Sequence, residues 1–588
     1  MTNEHLIKYN EFINKYDIHD KEIKNINIII KECLKKFTKK CKNPAIWCYG
    51  QHTRMLMVDF IYELKDVRFI IDNKLTNEQS GFNIISENEI YARKIDGIII
   101  SSYKYRKEIK ERIMNQYPDI MYCDVYEELE NNHICLDREY YNLNHPYVRY
   151  RKINKICNDI KKSNSKEEKA ELLKKLLEIC VVIKDFKLAI YYANQIVNIQ
   201  HSSYNLEMLN ELNALYNLQL SSLNKLSENN VIMLCFDGLR RKDILEGTMP
   251  ALKMYISDNM FMYDNCYSVS TSTFESLIPA YSENSDMSTK YYKTNSLNQN
   301  ECRFVADALE KKRKVYFYTD SDKVVDSPNI KYTNVYQTAT EKIWNFMNDA
   351  LGEKNGLFYI HILYESHFSY PNPYTDREIV ADGTNILFDY LDNKGGRLRT
   401  DYIQQHNDSL RYLDDTIVPF LRNMEGSIIL YADHGNILLN EKTSFDNIEY
   451  NMYTMHNDLI SIPFAIRSKN VKPGISHNLF SLMNINDVVL ALMNKTELPF
   501  DDKPYVKIQR SQIYNPDFKY LYKRAGYKQG LLAFECFVFK SGYKLVVYSN
   551  GIIELYDSKT EKRIDDDNII QNLKELVLND ITVNRIIE

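Results

Sequence analysis

The sequence contains no apolar run that approaches the length of a membrane-spanning helix, which needs about 18–20 residues. Its first segment, residues 1–22, is polar and mixed in charge, unlike a secretory signal peptide. The 11 cysteines form no Cys-x-x-Cys pair, which argues against a disulfide framework and favours a reducing compartment. From these absences we expect a soluble, cytoplasmic protein.

A surplus of basic residues is also missing. The formal net charge is −5, so the composition does not indicate nucleic-acid binding. A chain of 588 residues is too long for one hydrophobic core, and two to four domains are expected. The patterns described below divide the chain into residues 1–150, 151–228, 229–500 and 501–588.

The first region, residues 1–150, has the pattern of an α/β domain. Residues 1–42 show helical periodicity, and later segments alternate between strand and helix. The predicted elements are a strand over Ala45–Tyr49, a helix over Thr53–Leu64, and strands over Val67–Ile71 and 96–101. This alternation predicts a Rossmann-like βαβ domain that follows an N-terminal helix.

The same region resembles the small Rossmann-like domains of sugar-modifying enzymes and of some C-methyltransferases. Such domains start with a glycine-rich turn that lets a pyrophosphate approach the backbone. Here only Gly50 is present, and Gln51, His52 and Arg54 follow it. Two interpretations therefore stay open: a dinucleotide-binding domain, and a structural or partner-docking domain.

Residues 151–228 are rich in Lys, Glu and Leu and carry two apolar stripes at helical spacing. The first stripe includes Leu172, Leu176 and Cys180, and the second includes Leu188, Tyr192 and Ile196. Two amphipathic helices with a short link predict an αα-hairpin, similar to one tetratricopeptide-like unit. We find no second copy, so we expect a helical spacer that ends at the polar joint 226–230.

The third region, residues 229–500, alternates buried strands with helical patterns, which predicts a mostly parallel sheet flanked by helices. In such sheets, ligands bind at the carboxyl ends of the strands. Asp237 follows the first strand, and Asp433 and His434 follow the fourth; this residue pair suits Zn²⁺ or Mn²⁺. The predicted strands are Val231–Phe236, Val315–Thr319, Leu357–Ile362, Ser427–Ala432 and Ile462–Ile466.

A cluster of hydroxyl groups, Ser270 to Thr273, precedes an apolar run. One interpretation is a helix N-cap. The other is a nucleophile at a helix N-terminus, where the backbone N–H groups favour negative charge. Both can hold. The nucleophile itself stays open among Thr271, Ser272 and Thr273.

Three histidines fall near the same predicted edge of the sheet. His361 lies within the third strand, so we expect it in the core or behind the ligands. His367 follows that strand in a loop fixed by Pro371 and Pro373, and His456 precedes the fifth strand. The latter two are candidates for chemistry together with the aspartates.

Taken in order, these motifs resemble the alkaline phosphatase superfamily in its sulfatase-like branch. The segment Gly542–Asp557 also resembles the C-terminal hairpin of sulfatases, so the likeness covers about residues 229–570 and implies an alkaline-phosphatase-like core with a small C-terminal β-hairpin subdomain. The motifs are Phe-Asp-Gly-Leu-Arg with Asp237, Thr-x-x-Ser with Thr273 and Ser276, Ser-His-x-x-Tyr with His367 and Tyr370, and Ala-Asp-His-Gly with Asp433 and His434, followed by His456.

The motifs also indicate which enzymes of this branch the sequence resembles. Sulfatases need a Cys or Ser in a Cys/Ser-x-Pro-Ser-Arg pattern, which this sequence lacks, and Thr273 cannot yield their aldehyde. A threonine nucleophile is similar to that of phosphodiesterases, phosphoethanolamine and phosphoglycerol transferases, and lipoteichoic acid synthase-type catalytic domains. Thr273, Ser276 and Pro279 approximate the transferase pattern, and the predicted helix Tyr402–Leu421 resembles theirs.

The resemblance implies roles for single residues. Thr273 would attack phosphorus and form a covalent intermediate. His367 and His456 would bind a second ion or act as electrostatic or acid/base groups. One or two Zn²⁺ or Mn²⁺ ions would be held by Asp237, Thr273, Asp433 and His434. Substrate contacts are implied for Arg240, Ser276 and Tyr370.

The lipid-using transferases carry membrane helices, which this sequence lacks, so we expect a soluble donor. We expect a phosphotransferase that moves a phosphodiester- or phosphoramidate-type group from a nucleotide-linked donor to a sugar hydroxyl of capsule or lipopolysaccharide. The first two regions would bind the acceptor or dock on glycan-assembly machinery. The alternatives are a cytoplasmic phosphodiesterase or phosphonate-monoester-type hydrolase, and a degenerate fold that serves as a binding scaffold.

Overall fold

The structure is a computed structural model whose described residues form two units. One unit is Asp17–Arg149, and the other combines Met1–Tyr16 with Tyr150–Glu588. Within the described residues, no helix combines the length and apolarity that a bilayer crossing requires. The described residues are 4–18, 21–72, 83–286, 296–320, 323–333, 336–375, 395–436, 438, 455–499, 503–511 and 532–583.

The unit Asp17–Arg149 is built on a 5-stranded parallel sheet with the order β3-β2-β1-β4-β5. Strand β4 is buried along its whole length because helices cover both faces of the sheet. This topology confirms the predicted Rossmann-like fold. The strands are β1 (Pro44–Trp47), β2 (Phe69–Ile71), β3 (Asn83–Ile85), β4 (Gly97–Ile100) and β5 (Met121–Cys123), and the helices are Lys21–Thr38, Gln51–Asp59, Arg106–Gln116 and Val125–Asn131.

The helical pattern over residues 1–42 corresponds to two helices, Glu4–Lys15 and Lys21–Thr38. Between them, Asp17 has a φ of 50°, a left-handed conformation that interrupts a helix. The first helix belongs to the unit with Tyr150–Glu588, where the ring of its His5 lies 5.2 Å from that of Trp344. Helical periodicity alone does not show which hydrophobic core a helix packs against. The sequence therefore predicted one helical region where the structure has two helices that belong to different units.

His52 fills the space at the carboxyl ends of β1 and β4. Its Nδ1 lies 3.0 Å from the hydroxyl of Ser101 and its Nε2 2.7 Å from that of Tyr126. The side chain is 6% exposed, and burial lowers the pKa of His52 to about 3. A buried imidazole with a partner on each nitrogen favours the structural interpretation of this domain over the dinucleotide site.

The buried His52 predicts an acid-sensitive domain. Because the folded pKa of His52, about 3, lies below the unfolded value of about 6.5, the unfolded chain binds more protons, and stability falls as pH drops from about 6.5 toward 3. At pH 4.5 this linkage costs about 3 kcal/mol. Urea unfolding, followed by Trp47 fluorescence in a Trp344→Phe background, measures the loss. We expect His52→Gln to remove this part of the pH slope; an equal slope in both proteins would contradict the prediction.

From Tyr150 onward the second unit begins with a helical region, as the two apolar stripes predicted, and these helices belong to the same unit as the central sheet. The link between the two expected helices has Lys184 at a φ of 65°, and Asp185 Oδ1 accepts a hydrogen bond from the N–H of Leu188 at 3.0 Å. Further helices flank this pair on both sides. The helices are Pro146–Lys162, which contains the boundary between the units, Lys166–Val182, Phe186–Ile199 and Ser203–Leu223.

The centre of this unit is an 8-stranded sheet with the order β11-β9-β12-β6-β13-β14-β7-β15. The strands from β11 to β13 are parallel neighbours, whereas β14 runs antiparallel to β13 and β7. The mostly parallel sheet is therefore confirmed. The strands are β6 (Val231–Phe236), β7 (Phe261–Tyr267), β9 (Val315–Tyr318), β11 (Ile330–Thr333), β12 (Leu357–Ile362), β13 (Ser427–Ala432), β14 (Phe464–Arg467) and β15 (Gly474–Ser481).

Strands at the periphery of the sheet were not predicted from the sequence. β7, β11 and β15 carry polar residues and lack the continuous apolar run that marks a buried parallel strand. The fifth predicted strand, Ile462–Ile466, corresponds to β14, which starts at Phe464. Its antiparallel direction depends on the path of the chain between strands, which local patterns do not encode.

Further helices and a short separate sheet accompany the central sheet. Strands β8 (Leu297–Asn298) and β10 (Val325–Asp326) form a separate 2-stranded parallel pair. The helices are Arg241–Leu245, Pro250–Asn259, Thr273–Ser282, Arg303–Glu310, Ala339–Ala350, Gly395–Asn423, Asn457–Ile460 and Ile485–Asn494.

The C-terminal part is a 4-stranded antiparallel sheet with the order β16-β17-β18-β19. The predicted hairpin Gly542–Asp557 is its β18–β19 pair, with Leu545 opposite Leu555. The helix Asp567–Val577 packs on one face of the sheet through Leu573 and Val577. The strands are β16 (Tyr505–Arg510), β17 (Phe534–Phe539), β18 (Tyr543–Tyr548) and β19 (Ile553–Asp557).

Candidate active site

Two carboxylates lie side by side at the carboxyl edge of the central sheet. Strands β6 and β13 are adjacent and parallel, with Phe236 opposite Ala432, so the next residues, Asp237 and Asp433, are neighbours. Their side chains are 1% and 0% exposed. Register between two buried strands therefore brings together charges that are far apart in sequence.

The protein's own hydrogen bonds satisfy only part of these carboxylates. Asp433 Oδ1 accepts hydrogen bonds from the N–H groups of Gly238 at 3.1 Å and His434 at 2.8 Å. Within the described residues, Asp433 Oδ2 and Asp237 Oδ1 accept none. A buried carboxylate oxygen without a donor is costly, and a bound cation removes that cost.

The two carboxylates differ in their electrostatic surroundings. Burial, and then the charge of Asp237, raise the pKa of Asp433. Burial also opposes ionisation of Asp237, but the imidazoles of His367, His361 and His434 outweigh it and lower the pKa of that carboxyl. The ionised form is thus favoured at Asp237, where the positive partners converge.

Two histidines present their Nε2 atoms to Asp237. His434 Nδ1 lies 2.7 Å from the carbonyl oxygen of Gly435, and His367 Nδ1 lies 2.8 Å from that of Phe368. A carbonyl only accepts, so each Nδ1 carries a proton, and the neutral form of each ring has its lone pair on Nε2. Those Nε2 atoms lie 3.5 and 3.7 Å from Asp237 Oδ1. Backbone carbonyls thus fix both rings in a tautomer that can bind a metal.

His361 lies in β12, as predicted, and it also reaches the carboxylates. Its Nε2 is 3.1 Å from Asp237 Oδ2. Burial opposes protonation of the ring, but Asp237 outweighs this effect and raises the pKa of His361. The expectation of a histidine in the core or behind the ligands therefore agrees with its burial and with its contact to Asp237, although the ring is also close enough to be a ligand itself.

These side chains make two overlapping groups that fit a divalent cation. One group is Asp237, His367 and His434, and the other is Asp237, His361 and Asp433; the ligand atoms in each lie within 4.8 Å of one another. Nitrogen and oxygen donors of this kind suit Zn²⁺ and Mn²⁺. The carboxylate oxygens without hydrogen bonds agree with such an ion. Asp237 belongs to both groups, which makes it the centre of the site.

Thr273 is the hydroxyl group that faces this cluster. It is the first residue of the helix Thr273–Ser282, and its side chain is half-buried. Its Oγ1 donates a hydrogen bond to Asp237 Oδ2 at 3.2 Å and lies 3.3 Å from His434 Nε2. The hydroxyl therefore lies at a helix N-terminus, where backbone N–H groups favour an anion.

Within the described residues, the neighbouring hydroxyl groups do not contact the aspartates and histidines in this way. Thr271 is fully buried, and its Oγ1 accepts a hydrogen bond from Arg510 at 2.7 Å. Ser270 donates to Glu275 at 3.3 Å. Ser272 is the N-cap residue but makes no capping hydrogen bond through its side chain. Of the three hydroxyls that the sequence left open as nucleophile, the structure brings Thr273 to the aspartates and histidines.

Ser276 and Tyr370, for which substrate contacts were expected, are both buried. The Ser276 hydroxyl donates to the backbone oxygen of Asp433 at 2.6 Å. The Tyr370 hydroxyl is hydrogen-bonded to the side chain of Asn436. Ser276 thus holds the backbone of Asp433 and Tyr370 holds the side chain of Asn436, and their substrate role stays a prediction.

Arg240, the other expected substrate contact, forms ion pairs inside the protein. Its Nε and Nη2 donate to Asp243 at 2.9 and 2.6 Å, and its Nη1 lies 3.3 Å from Asp458. The residue is 4% exposed. These contacts lend no support to a phosphate contact through Arg240.

His456 has partners outside the cluster. Its Nε2 lies 2.9 Å from Glu561, and its Nδ1 accepts a hydrogen bond from the N–H of Asp458 at 3.1 Å. Glu561 also accepts from Lys544 of the C-terminal sheet at 2.6 Å. Among the described residues, His456 is thus brought to the C-terminal sheet and not into either metal-binding group.

Lys342 supports the site and was not found from the sequence. Its ammonium group donates to the backbone oxygen of His361 at 2.6 Å and to Asp320 at 2.5 Å. The residue is 1% exposed, on the helix Ala339–Ala350. A lysine on an amphipathic helix is normally expected in solvent, so no local signal marked it.

Gly435 leaves no room for a side chain behind His434. A Cβ atom at this position would lie 1.9 Å from the backbone oxygen of Asp458. We expect Gly435→Ala to lower the free energy of unfolding by about 1–3 kcal/mol through overpacking. It should also weaken metal binding at least tenfold, because His434 Nδ1 donates to the Gly435 oxygen. Thermal melts and metal titrations check both.

The control for this variant is Gly352→Ala, since the nearest atom to a Cβ at Gly352 is 4.0 Å away. We expect its melting temperature and metal affinity to match those of the wild type. Wild-type metal affinity in Gly435→Ala would show that the position of His434 does not depend on this close contact.

Two family models match the chain. Residues 229–495 match the sulfatase family, and residues 40–119 match the family described as C2185-like, N-terminal. The first match covers all the residues of the two metal-binding groups. A search of curated proteins finds no significant match.

Solved structures of low sequence identity are also similar. Phosphonate monoester hydrolase SpPMH from Silicibacter pomeroyi is 11% identical, with 60% of this chain and 95% of that chain covered and a TM-score of 0.45. The C-terminal periplasmic domain of phosphoethanolamine transferase EptC from Campylobacter jejuni is 14% identical, with 46% and 90% covered and a TM-score of 0.34. The zinc complex of the corresponding EptC domain from Escherichia coli is 16% identical, with 45% and 82% covered and a TM-score of 0.32.

Proposed function

We propose that this chain, in which residues 229–495 form a sulfatase-family domain of the alkaline phosphatase superfamily, is a metal-dependent phosphotransferase. It takes a substituted phospho-group, of phosphodiester or phosphoramidate type, from a soluble nucleotide-linked donor. The acceptor is a sugar hydroxyl of a surface glycan, capsule or lipopolysaccharide. We place the reaction in the cytoplasm.

The observation that carries this proposal is the position of the Thr273 hydroxyl. It lies 3.2 Å from Asp237 and 3.3 Å from His434, at a helix N-terminus, and it is open enough to meet a substrate. A threonine hydroxyl is a weak nucleophile at its ordinary pKa and needs activation by a base or a cation. The cluster of acceptors and imidazoles around it meets that need.

The residues that would hold the cation are Asp237 and Asp433 with His361, as in one candidate group, or Asp237 with His434, from the other group. The Thr273 hydroxyl faces Asp237. Zn²⁺ or Mn²⁺ fits these donors. When bound, the ion lowers the pKa of a hydroxyl group and neutralises charge on the phospho-group.

The protein's own groups account for positioning and proton movement. The hydrogen bond from Thr273 Oγ1 to Asp237 Oδ2 orients the hydroxyl, leaving an Oγ1 lone pair for phosphorus. In the first step the bond from Oγ1 to phosphorus forms, and the donor's nucleotide leaves with the electrons of its P–O bond. The hydroxyl proton passes to Asp237 Oδ2, which accepts its hydrogen bond, and from that carboxylate to His367, whose Nε2 lies 3.7 Å from Asp237 Oδ1. The side chain of His367 is 29% exposed, so it can exchange protons with substrate or water.

In the second step the acceptor hydroxyl attacks phosphorus and the bond to Thr273 breaks. The proton returns from His367 through Asp237 to Oγ1, and His367 takes the acceptor's proton. Two in-line displacements predict retention of configuration at phosphorus, which a chiral phosphorothioate donor tests. Net inversion would exclude the covalent route.

The same residues serve a hydrolase if water is the acceptor, so the alternative is a phosphodiesterase or phosphonate-monoester-type hydrolase. Intact-protein mass separates the two. The wild type is incubated with Zn²⁺ or Mn²⁺ and a panel of nucleotide-linked phospho-donors and simple phosphodiesters. An adduct that discharges only when a glycan is added supports the transferase. Rapid release of free phospho-product without a glycan would show that the protein is a hydrolase and not a transferase. If the protein forms no adduct and shows no turnover, the fold is a binding scaffold without this activity.

A further inference from the structure

A groove of about 680 Å³ lies away from the candidate active site, in the unit that contains Tyr150–Glu588. It is formed by the helical region, the segment 373–375 and the helix Gly395–Asn423. None of its lining residues belongs to the metal-binding groups. Its volume falls within the roughly 300–1,000 Å³ that is typical of ligand sites.

Tyrosine rings supply the groove with flat apolar surface. Tyr191 is 58% exposed, and its ring lies 5.3 Å from that of the buried Tyr192. Elsewhere in the lining, the ring of Tyr374 packs edge-to-face on Tyr412 at 5.3 Å. An exposed tyrosine offers a rigid apolar face and a polar tip, which suits a ligand with alternating C–H faces and hydroxyl groups. A pyranose ring has this alternation.

Polar groups on the floor and rim are held in place by the protein. Tyr374 donates to an Asp415 side-chain oxygen at 3.0 Å, and Lys187 donates to the Asp415 backbone oxygen at 2.8 Å. Asp185 accepts from the hydroxyl of Tyr412 at 2.8 Å. Donors and acceptors that are already oriented are the groups that fix a hydroxyl-rich ligand at low entropic cost.

A short, fixed segment connects this groove to the candidate active site. It runs from His367 to Tyr374, a span that cannot exceed about 25 Å when fully extended. The N–H of Tyr370 donates to the His367 oxygen at 2.8 Å, and Asn372 Oδ1 accepts from the N–H of Tyr374 at 2.8 Å. Asn154 of the helical region donates to the Asn372 oxygen at 3.2 Å. The wall of the groove and His367 are therefore parts of one braced segment.

We propose that this groove binds the saccharide chain of the acceptor, so that a sugar hydroxyl further along the same chain reaches Thr273. The inference rests on the proposed transferase function. Because the lining excludes Thr273, an occupant that serves catalysis must extend beyond the groove, as a polymer does. A nucleotide-linked donor must instead place its phosphorus at Thr273. The helical region then acts as the acceptor-binding part of the enzyme.

The test uses the full chain and an array of bacterial capsule and lipopolysaccharide glycans. We expect the wild type to bind a subset of the array and Tyr191→Ala to weaken that binding at least tenfold. The matched control is Tyr62→Ala, which removes an 83% exposed tyrosine outside the groove and should leave binding unchanged. Binding to no glycan on the array, or equal binding by the wild type and Tyr191→Ala, would overturn the proposal.

Adduct formation at Thr273, measured by intact mass without glycan, separates this proposal from the proposed function. A normal adduct in Tyr191→Ala together with a loss of transfer to glycan supports the groove as an acceptor site. Glycan binding that depends on Tyr191, in a protein that never forms the adduct, would remove the transferase function and leave a saccharide-binding groove. An adduct in a protein that binds no glycan would keep the covalent chemistry and refute the groove.

Discussion

Replacing Thr273 by alanine will abolish the covalent adduct and lower the turnover of a phosphodiester such as bis(p-nitrophenyl) phosphate by on the order of 10⁴-fold or more. The reason is that, in the proposed mechanism, Oγ1 is the atom that attacks phosphorus, and the structure brings no other hydroxyl of the segment 270–273 to the aspartates and histidines within the described residues. Thr271 is buried against Arg510, whereas Thr273 contacts both Asp237 and His434. Steady-state kinetics and intact mass measure the two effects.

Two further variants test whether these effects are specific to the Thr273 hydroxyl. Ser272→Ala removes the adjacent hydroxyl, which makes no capping hydrogen bond, and should keep activity within a few-fold of the wild type. Thr273→Ser retains an attacking oxygen and should keep measurable turnover together with an adduct. If Thr273→Ala turns over substrate as the wild type does, while its metal content is normal, Thr273 is not the nucleophile.

Replacing Asp237 by asparagine will remove bound metal and lower turnover by on the order of 10³-fold or more, as expected when a charged metal ligand is lost. Asp237 belongs to both candidate metal-binding groups, so neither group is left intact. Metal content after dialysis and turnover with Zn²⁺ or Mn²⁺ measure the effects. In the wild type, metal at 100 times its dissociation constant should stabilise the fold by about 2.7 kcal/mol, and this gain should vanish in the variant.

The variants His367→Ala and His361→Ala distinguish between the two candidate metal-binding groups, because each histidine belongs to only one of them. If the ion is held by Asp237, His361 and Asp433, His361→Ala should lower metal affinity more than His367→Ala, whereas His367→Ala should mainly lower turnover and change its pH profile. A variant Asp237→Asn with full metal content and wild-type turnover would contradict the assigned centre.

The sequence by itself determined the fold class and most of the residues at the site. Continuous apolar runs ending in Asp237 and Asp433 indicated buried parallel strands, and such strands deliver polar residues to one edge of a sheet. The helix start at Thr273 followed from hydroxyl groups before an apolar run. These signals are local, since a strand or helix terminus is marked by the residues that form it.

Only the tertiary structure decided which groups meet. Thr271 and Thr273 are both hydroxyl residues near one helix start, but a contact with Arg510, which lies more than 200 positions away, occupies the first and leaves the second at the cluster. His361 looked like a core residue because its strand is buried, yet the register of β12 beside β6 brings its ring to Asp237. His456 was a candidate for a second ion or for acid/base chemistry, and in the structure its Nε2 lies 2.9 Å from Glu561 of the C-terminal part.

The physical reason is the range of the interactions. Apolar periodicity and helix capping act over a few residues, so the sequence specifies them directly. Hydrogen bonds and ion pairs act over about 3–4 Å in space, and their partners here come from strands that are neighbours only after folding. The elements of this protein could therefore be predicted one at a time, whereas its candidate active site exists only where β6, β12 and β13 lie in register.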